Sequence, residues 1–121
     1  MRELKKALTL ALLAVAISAT AAVAAGDRKE AQAQVDFGIK VAEQGLWKEA
    51  IYRWERAVAL DPTYAAAFNN LAVGYETAGL FDKAKAAYER ALELDPKNAN
   101  IRQNFDLFKE VNERANRKPT R

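Results

Sequence analysis

Neither cysteine nor histidine occurs in the 121 residues. Without cysteine no disulfide can form, so packing alone must hold the fold. An acyl-cysteine lipoprotein anchor is excluded for the same reason. Zinc sites built from Cys or His are excluded as well. Glycine and proline are sparse, at 5 and 3 residues, and no Gly-rich phosphate loop or nucleophile motif is present. Glu55 and Glu89 stand beside Arg56 and Arg90, as ordinary helix-surface charges do. The expectation is a protein that is not an enzyme, with no cofactor, no metal site and no small-molecule substrate.

The charge balance is the next shortage. The chain has 19 basic and 16 acidic residues, and residues 1–25 hold Arg2, Lys5 and Lys6 against Glu3 alone. Without that segment the balance is 16 to 15. The high isoelectric point therefore belongs to the N-terminal segment and gives no support to nucleic-acid binding. The remaining local excess is a basic tail. Arg114, Arg117, Lys118 and Arg121 have no acidic neighbour between them, which is the composition of a solvated end.

The segment 1–25 has three parts. A basic start is followed by an apolar run from Ala7 to Ile17, broken only by Thr9, and then by small residues ending Ala22-Val23-Ala24-Ala25. This is the pattern of a secretory signal peptide cleaved after Ala24 or Ala25. The alternative is an uncleaved anchor, since Ala7 to Ala25 is close to the lower length limit for a membrane span. The expected location is periplasmic or secreted, with membrane attachment only if the segment is retained.

What the sequence has in abundance is internal repetition. Leu46 to Pro62 reads LWKEAIYRWERAVALDP, and Leu80 to Pro96 reads LFDKAKAAYERALELDP. The two are identical at eight of 17 positions, offset by 34 residues. That period indicates helix-turn-helix repeats. Ala50, Trp54, Ala57 and Leu60 lie three or four apart, as do Ala84, Tyr88, Ala91 and Leu94, so each set shares one helical face. The small alanines admit a neighbouring helix and the large aromatic fills the space between them. Lys48, Glu49 and Arg53 become Asp82, Lys83 and Ala87 across the repeat, which predicts a face in water. Gly45 and Gly79 predict left-handed helix ends. Asp61 and Asp95 are predicted caps, with Pro62 and Pro96 opening the following helices. The first helices of the two units are predicted over about 28–44 and 63–78, with Asp27 and Glu30 spaced as a capping box. A fifth helix is predicted over about 98–116. It carries Ile101, Phe105 and Phe108 on one side, with Leu107 and Val111 nearby.

On these residues the chain resembles the tetratricopeptide repeat family. The unit 65–98 carries the family pattern at Phe68, Leu71, Ala72, Tyr75, Gly79, Ala84, Tyr88, Ala91 and Pro96. The unit 31–64 carries it at Phe37, Gly38, Gly45, Ala50, Trp54, Ala57 and Pro62, and departs from it at Gln34 and Val41. The resemblance implies an all-α, right-handed superhelix of two helix-turn-helix units plus a C-terminal capping helix. Its divisions would be a segment 1–25, a first unit 26–64 with an extended first helix, a second unit 65–98, a cap 99–116 and a basic tail 117–121. The cap reading rests on apolar Ile101, Phe105 and Phe108 facing the preceding unit, with charged Asp106 and Lys109 where a further helix would pack.

The resemblance also implies a concave surface that binds a peptide or protein segment. Its expected lining is Gln32, Val35, Ile39 and Glu43, then Asn69, Asn70, Val73, Glu76 and Thr77, then Gln103 and Leu107. Asn side chains can pair with both N–H and C=O of an extended ligand backbone. The competing reading is that Asn69 and Asn70 bridge neighbouring helices. Some family members grip a terminal carboxylate with Lys, Asn and Arg. Of that set only Asn70 is present, because Val35, Ile39, Asn100 and Asn104 occupy the other positions, and none of them supplies the cation the grip requires. The leading expectation is an exported adaptor or scaffold in an envelope complex. The alternative is a homo-oligomeric structural protein whose first helix stacks on a second copy.

Overall fold

Helix punctuation organises the computed structural model, which describes residues 27–117. The N-terminal segment 1–25 and the last four residues of the tail lie outside the described residues. Helix α1 is helical over 27–43. Helices α2 (Trp47–Leu60), α3 (Ala65–Thr77), α4 (Phe81–Leu94) and α5 (Ala99–Asn116) follow. No strand occurs among the described residues, and the architecture is an all-α helical repeat. No helix among them is long and apolar enough to cross a membrane.

Gly45 and Gly79 have φ of 80° and 77°, and each turn closes with the same two bonds. Leu46 N donates to Val41 O at 2.9 Å and Gly45 N to Ala42 O at 2.9 Å. Leu80 N donates to Tyr75 O at 2.8 Å and Gly79 N to Glu76 O at 3.0 Å. This paired pattern requires a left-handed residue at the first position past the helix, which glycine adopts without a Cβ clash.

The Asp-Pro turns differ from the sequence expectation. Asp61 and Asp95 cap the C-terminal ends of α2 and α4, not the starts of α3 and α5. The start positions belong to Tyr64 and Asn98. The reason is local. A residue before proline is driven out of the helical region, and Asp61 sits at φ −138°, ψ 93°. The chain then needs one more turn, closed by Tyr64 N donating to Asp61 O at 3.2 Å, before α3 can begin. At α5 the side chain of Asn98 accepts from Ile101 N at 3.1 Å, a true N-cap. Asp27 already lies within α1, so it does not cap that helix.

Two apolar clusters result. The first gathers Ala31, Val35 and Val41 of α1, Ala50, Trp54 and Ala57 of α2, and Ala67 and Leu71 of α3. The second gathers Ala72 of α3, Ala84, Ala87, Tyr88 of α4, and Phe105 and Phe108 of α5. Tyr75 packs against both. In the second cluster the rings of Tyr88, Phe105 and Phe108 lie 5.5–6.3 Å apart between centroids, a separation at which aromatic pairs gain beyond area burial. Ala87 is buried here, at 6% exposure, against the water-facing position expected for it. Asp106 and Lys109 do face solvent and pair at 3.1 Å. Where the first unit departs from the family pattern, Val41 is buried and Gln34 holds its Oε1 buried without a hydrogen-bond partner.

Candidate functional site

Trp54 is the centre around which the site is built. Its indole fills a slot between two helices that lack side chains where it passes. A Cβ placed on Gly38 of α1 would stand 2.4 Å from Trp54 Nε1, and one on Gly74 of α3 would stand 3.0 Å from Trp54 Cζ3. The indole N–H donates to Val35 O at 3.2 Å. Trp47, two helical turns earlier on the same face of α2, meets Trp54 edge-on, with centroids 6.5 Å apart and planes at 61°.

Above these rings lies an open cleft of about 340 Å³, lined by Ile39, Ala42, Glu43, Trp47, Trp54, Asn70 and Val73. It runs between α1 and α3 with α2 as its floor. Ile39, Glu43, Asn70 and Val73 were expected from the sequence, and the structure brings these four together. Ala42, Trp47 and Trp54 were not expected. The spacing of Trp47 and Trp54 by seven residues was the available signal, since it puts a second aromatic on the face that carries Trp54.

The other expected lining residues are placed differently. Val35 lies buried in the first apolar cluster and is not among the residues that line the cleft. This corrects the expectation, and the cause is that its helix turns that face toward Trp54. Asn69 accepts from Asn104 Nδ2 at 3.2 Å and so joins α3 to α5, as the bridging reading anticipated. Glu76 accepts from the Tyr88 hydroxyl at 2.9 Å. Thr77 Oγ1 donates to Val73 O at 2.9 Å. Gln32 is exposed on α1 outside the cleft. Gln103 and Leu107 lie on a separate shallow strip formed by α5 alone, with Arg102, Asp106 and Glu110.

Electrostatics are modest. Glu43 is the single charged group in the cleft lining. Away from it, burial pushes the Tyr75 hydroxyl up to about 12, reinforced by its 2.8 Å hydrogen bond to Glu55 and that carboxylate's charge. Burial and the Glu76 carboxylate raise Tyr88 further. Asp61 moves the other way. Burial would raise it, but hydrogen bonds from the Thr63 hydroxyl, from Arg28 and from Thr63 N, with the charge of Arg28, hold it below the ordinary carboxylate value. Arg28 also stacks on Tyr64 at 4.5 Å, so this group clasps α1 to the α2–α3 turn. Among the described residues no group of His, Cys, Asp and Glu could hold a metal ion.

Comparison with known proteins bears on what such a cleft is. A family model described as "Tetratricopeptide repeat" matches residues 65–98, and one described as "TPR repeat" matches 41–79. The structure is similar to the Arabidopsis OM64 TPR domain, at a TM-score of 0.67 and 18% identity, with 73% of each chain covered. It is similar to MamA at a TM-score of 0.65 and 30% identity, covering 69% of this chain and 49% of that one. It is also similar to the second TPR domain of human RPAP3, solved with the HSP70 peptide SGPTIEEVD, at a TM-score of 0.62 and 22% identity, covering 66% and 67%. The chain spans about half the length of MamA. The OM64 and RPAP3 likenesses show the fold alone. A search of curated protein sequences finds no match.

Proposed function

Because this chain carries tetratricopeptide repeats across residues 41–98, we propose that it is a non-catalytic interaction module that holds an extended segment of a partner protein in the α1–α3 cleft. The observation that carries this reading is the cleft itself, an apolar trough over two tryptophans with an amide and a carboxylate at its margins. Such a lining suits a binding site that is mostly apolar with a few orienting polar groups. The human RPAP3 domain binds a peptide ending in Glu-Glu-Val-Asp. Here no Lys or Arg lines the cleft, so the ligand is of another kind than an acidic C-terminus.

The composition of residues 1–25 supports export, with the mature module acting as an adaptor in an envelope assembly. Mass spectrometry of the exported protein tests this. The expected mass lacks residues 1–24 or 1–25, and a mass that includes Met1 favours the anchored form.

The groove reading is tested with a photo-crosslinking residue at position 73. Partners should be captured there and lost when Asn70→Asp and Ile39→Asp are added to a protein of unchanged helicity. Capture that survives both changes removes the groove from the function. Exposed Leu80, Phe81 and Val111 favour a second reading, self-association at the α4–α5 end. Light scattering over a concentration series separates it, since a monomer at every concentration excludes it.

A further inference from the structure

Resting on the groove reading, we infer that the cleft selects segments that pair an aliphatic side chain with a lysine or arginine, and disfavours acidic segments and free carboxyl termini. The apolar half of the requirement comes from Ile39, Val73 and the rings of Trp47 and Trp54. Trp54 is buried beneath the cleft and has already spent its one donor on Val35 O, so it backs the cleft as apolar ring and offers a ligand no polar partner. A polar side chain set there would lose its water without gaining a partner.

The charged half comes from Glu43. No ion pair among the described residues involves it, although Lys40 lies one turn away on the same helix. Glu43 also stands in the last turn of α1, where the helix dipole adds negative potential. An acidic side chain is there at some cost to the helix, and a cation at the cleft relieves it. Asn70 stands across the cleft on α3, where its amide can donate and accept along a ligand backbone without adding charge. With one anion and no cation in its walls, the cleft complements a basic-apolar sequence and repels a carboxylate.

The chain contains two tryptophans, and both line this cleft, so intrinsic emission reports its occupancy directly. The full chain is titrated with three acetylated, amidated octapeptides free of Trp and Tyr, alternating Leu-Lys, Leu-Gln and Leu-Glu. The Leu-Lys peptide should bind about two- to fivefold more tightly than Leu-Gln, the range of an exposed ion pair, and Leu-Glu should bind least. The advantage should vanish at high salt. Glu43→Gln should erase the Leu-Lys preference and leave Leu-Gln binding unchanged. Glu113→Gln, on the far end of α5, should leave the preference intact. Equal binding of Leu-Lys and Leu-Gln, or a preference that survives Glu43→Gln, overturns the charge selection while the groove reading stands. No emission change with any of the peptides overturns both.

Discussion

Trp54 shows how much rests on single residues. It is 2% exposed between two glycines, and both lie where the indole needs helix backbone without a side chain. Gly38→Ala should displace the ring, because the new methyl meets Nε1 at 2.4 Å and no rotation of a rigid bicycle in a filled slot removes that contact. Overpacking of this kind costs about 1–3 kcal/mol, to be read from urea unfolding. Gly74→Ala should cost less, since its methyl stands 2.8 Å from Ile51 Cγ1 and 3.0 Å from Trp54 Cζ3, a looser approach than the one at Gly38. Equal losses at the two sites would refute the rigid-slot account. Gly38 was visible in sequence as a small residue of the repeat. Gly74 was not, because its role depends on how closely α3 approaches α2.

Titration acts at the same scale and in two directions. The Asp61 carboxyl is held down in the folded state. Its contribution to stability is therefore full above the unfolded value near 3.8 and is lost as pH falls through that value toward the lower folded one. Asp61→Asn should flatten the acid limb of the stability curve. Tyr75 is raised, so its contribution is full below the unfolded value of 10.0 and is lost as pH rises toward about 12. An ultraviolet tyrosinate titration should contain a component near 12 that Tyr75→Phe removes.

Among the elements, α5 is held by both its start and its face. Asn98 caps it through Ile101 N, and Ile101, Phe105 and Phe108 are buried. Asn98→Ala should cost about 1 kcal/mol, seen as a lowered midpoint in thermal denaturation. An unchanged midpoint would assign the helix start to packing alone. The helices were legible in the sequence because their apolar positions recur at helical spacing and their glycines recur at 34 residues. The Asp-Pro turns depart from the sequence expectation for a physical reason. Asp before Pro suits the beginning of a helix and the end of one equally well, and what decides between them is the three-residue turn that proline forces after Asp61.

Across the whole molecule, α3 separates the two clusters and serves both. Ala67 and Leu71 belong to the first, Ala72 to the second, and Tyr75 touches each. Coupling of this kind between neighbouring repeats makes a short array unfold as one unit. Phe108→Leu in the second cluster should therefore lower the urea midpoint followed by tryptophan emission, although both tryptophans lie in the first unit. The expected loss is about 1 kcal/mol, with the emission and far-ultraviolet dichroism curves coincident. An unmoved emission curve would mean that the repeats melt independently. The concave cleft was foreseeable at this scale but its lining was not. The resemblance to the repeat family placed Ile39, Glu43, Asn70 and Val73 on the inner surface, whereas the burial of Val35 and the tie between Asn69 and Asn104 follow from side-chain packing between helices that the repeat pattern does not reveal.

The clasp of Arg28 on Asp61 and Thr63 has a mechanical meaning. Arg28 stands one residue into the described part of α1, so a pull along that helix from its N-terminal side would meet this clasp first. Asp61 and the Tyr64 ring anchor that point to the corner between α2 and α3. A tug from that direction is thus shared between two helical hairpins before it reaches Trp54, as a stitch at a seam's end keeps the cloth from unravelling.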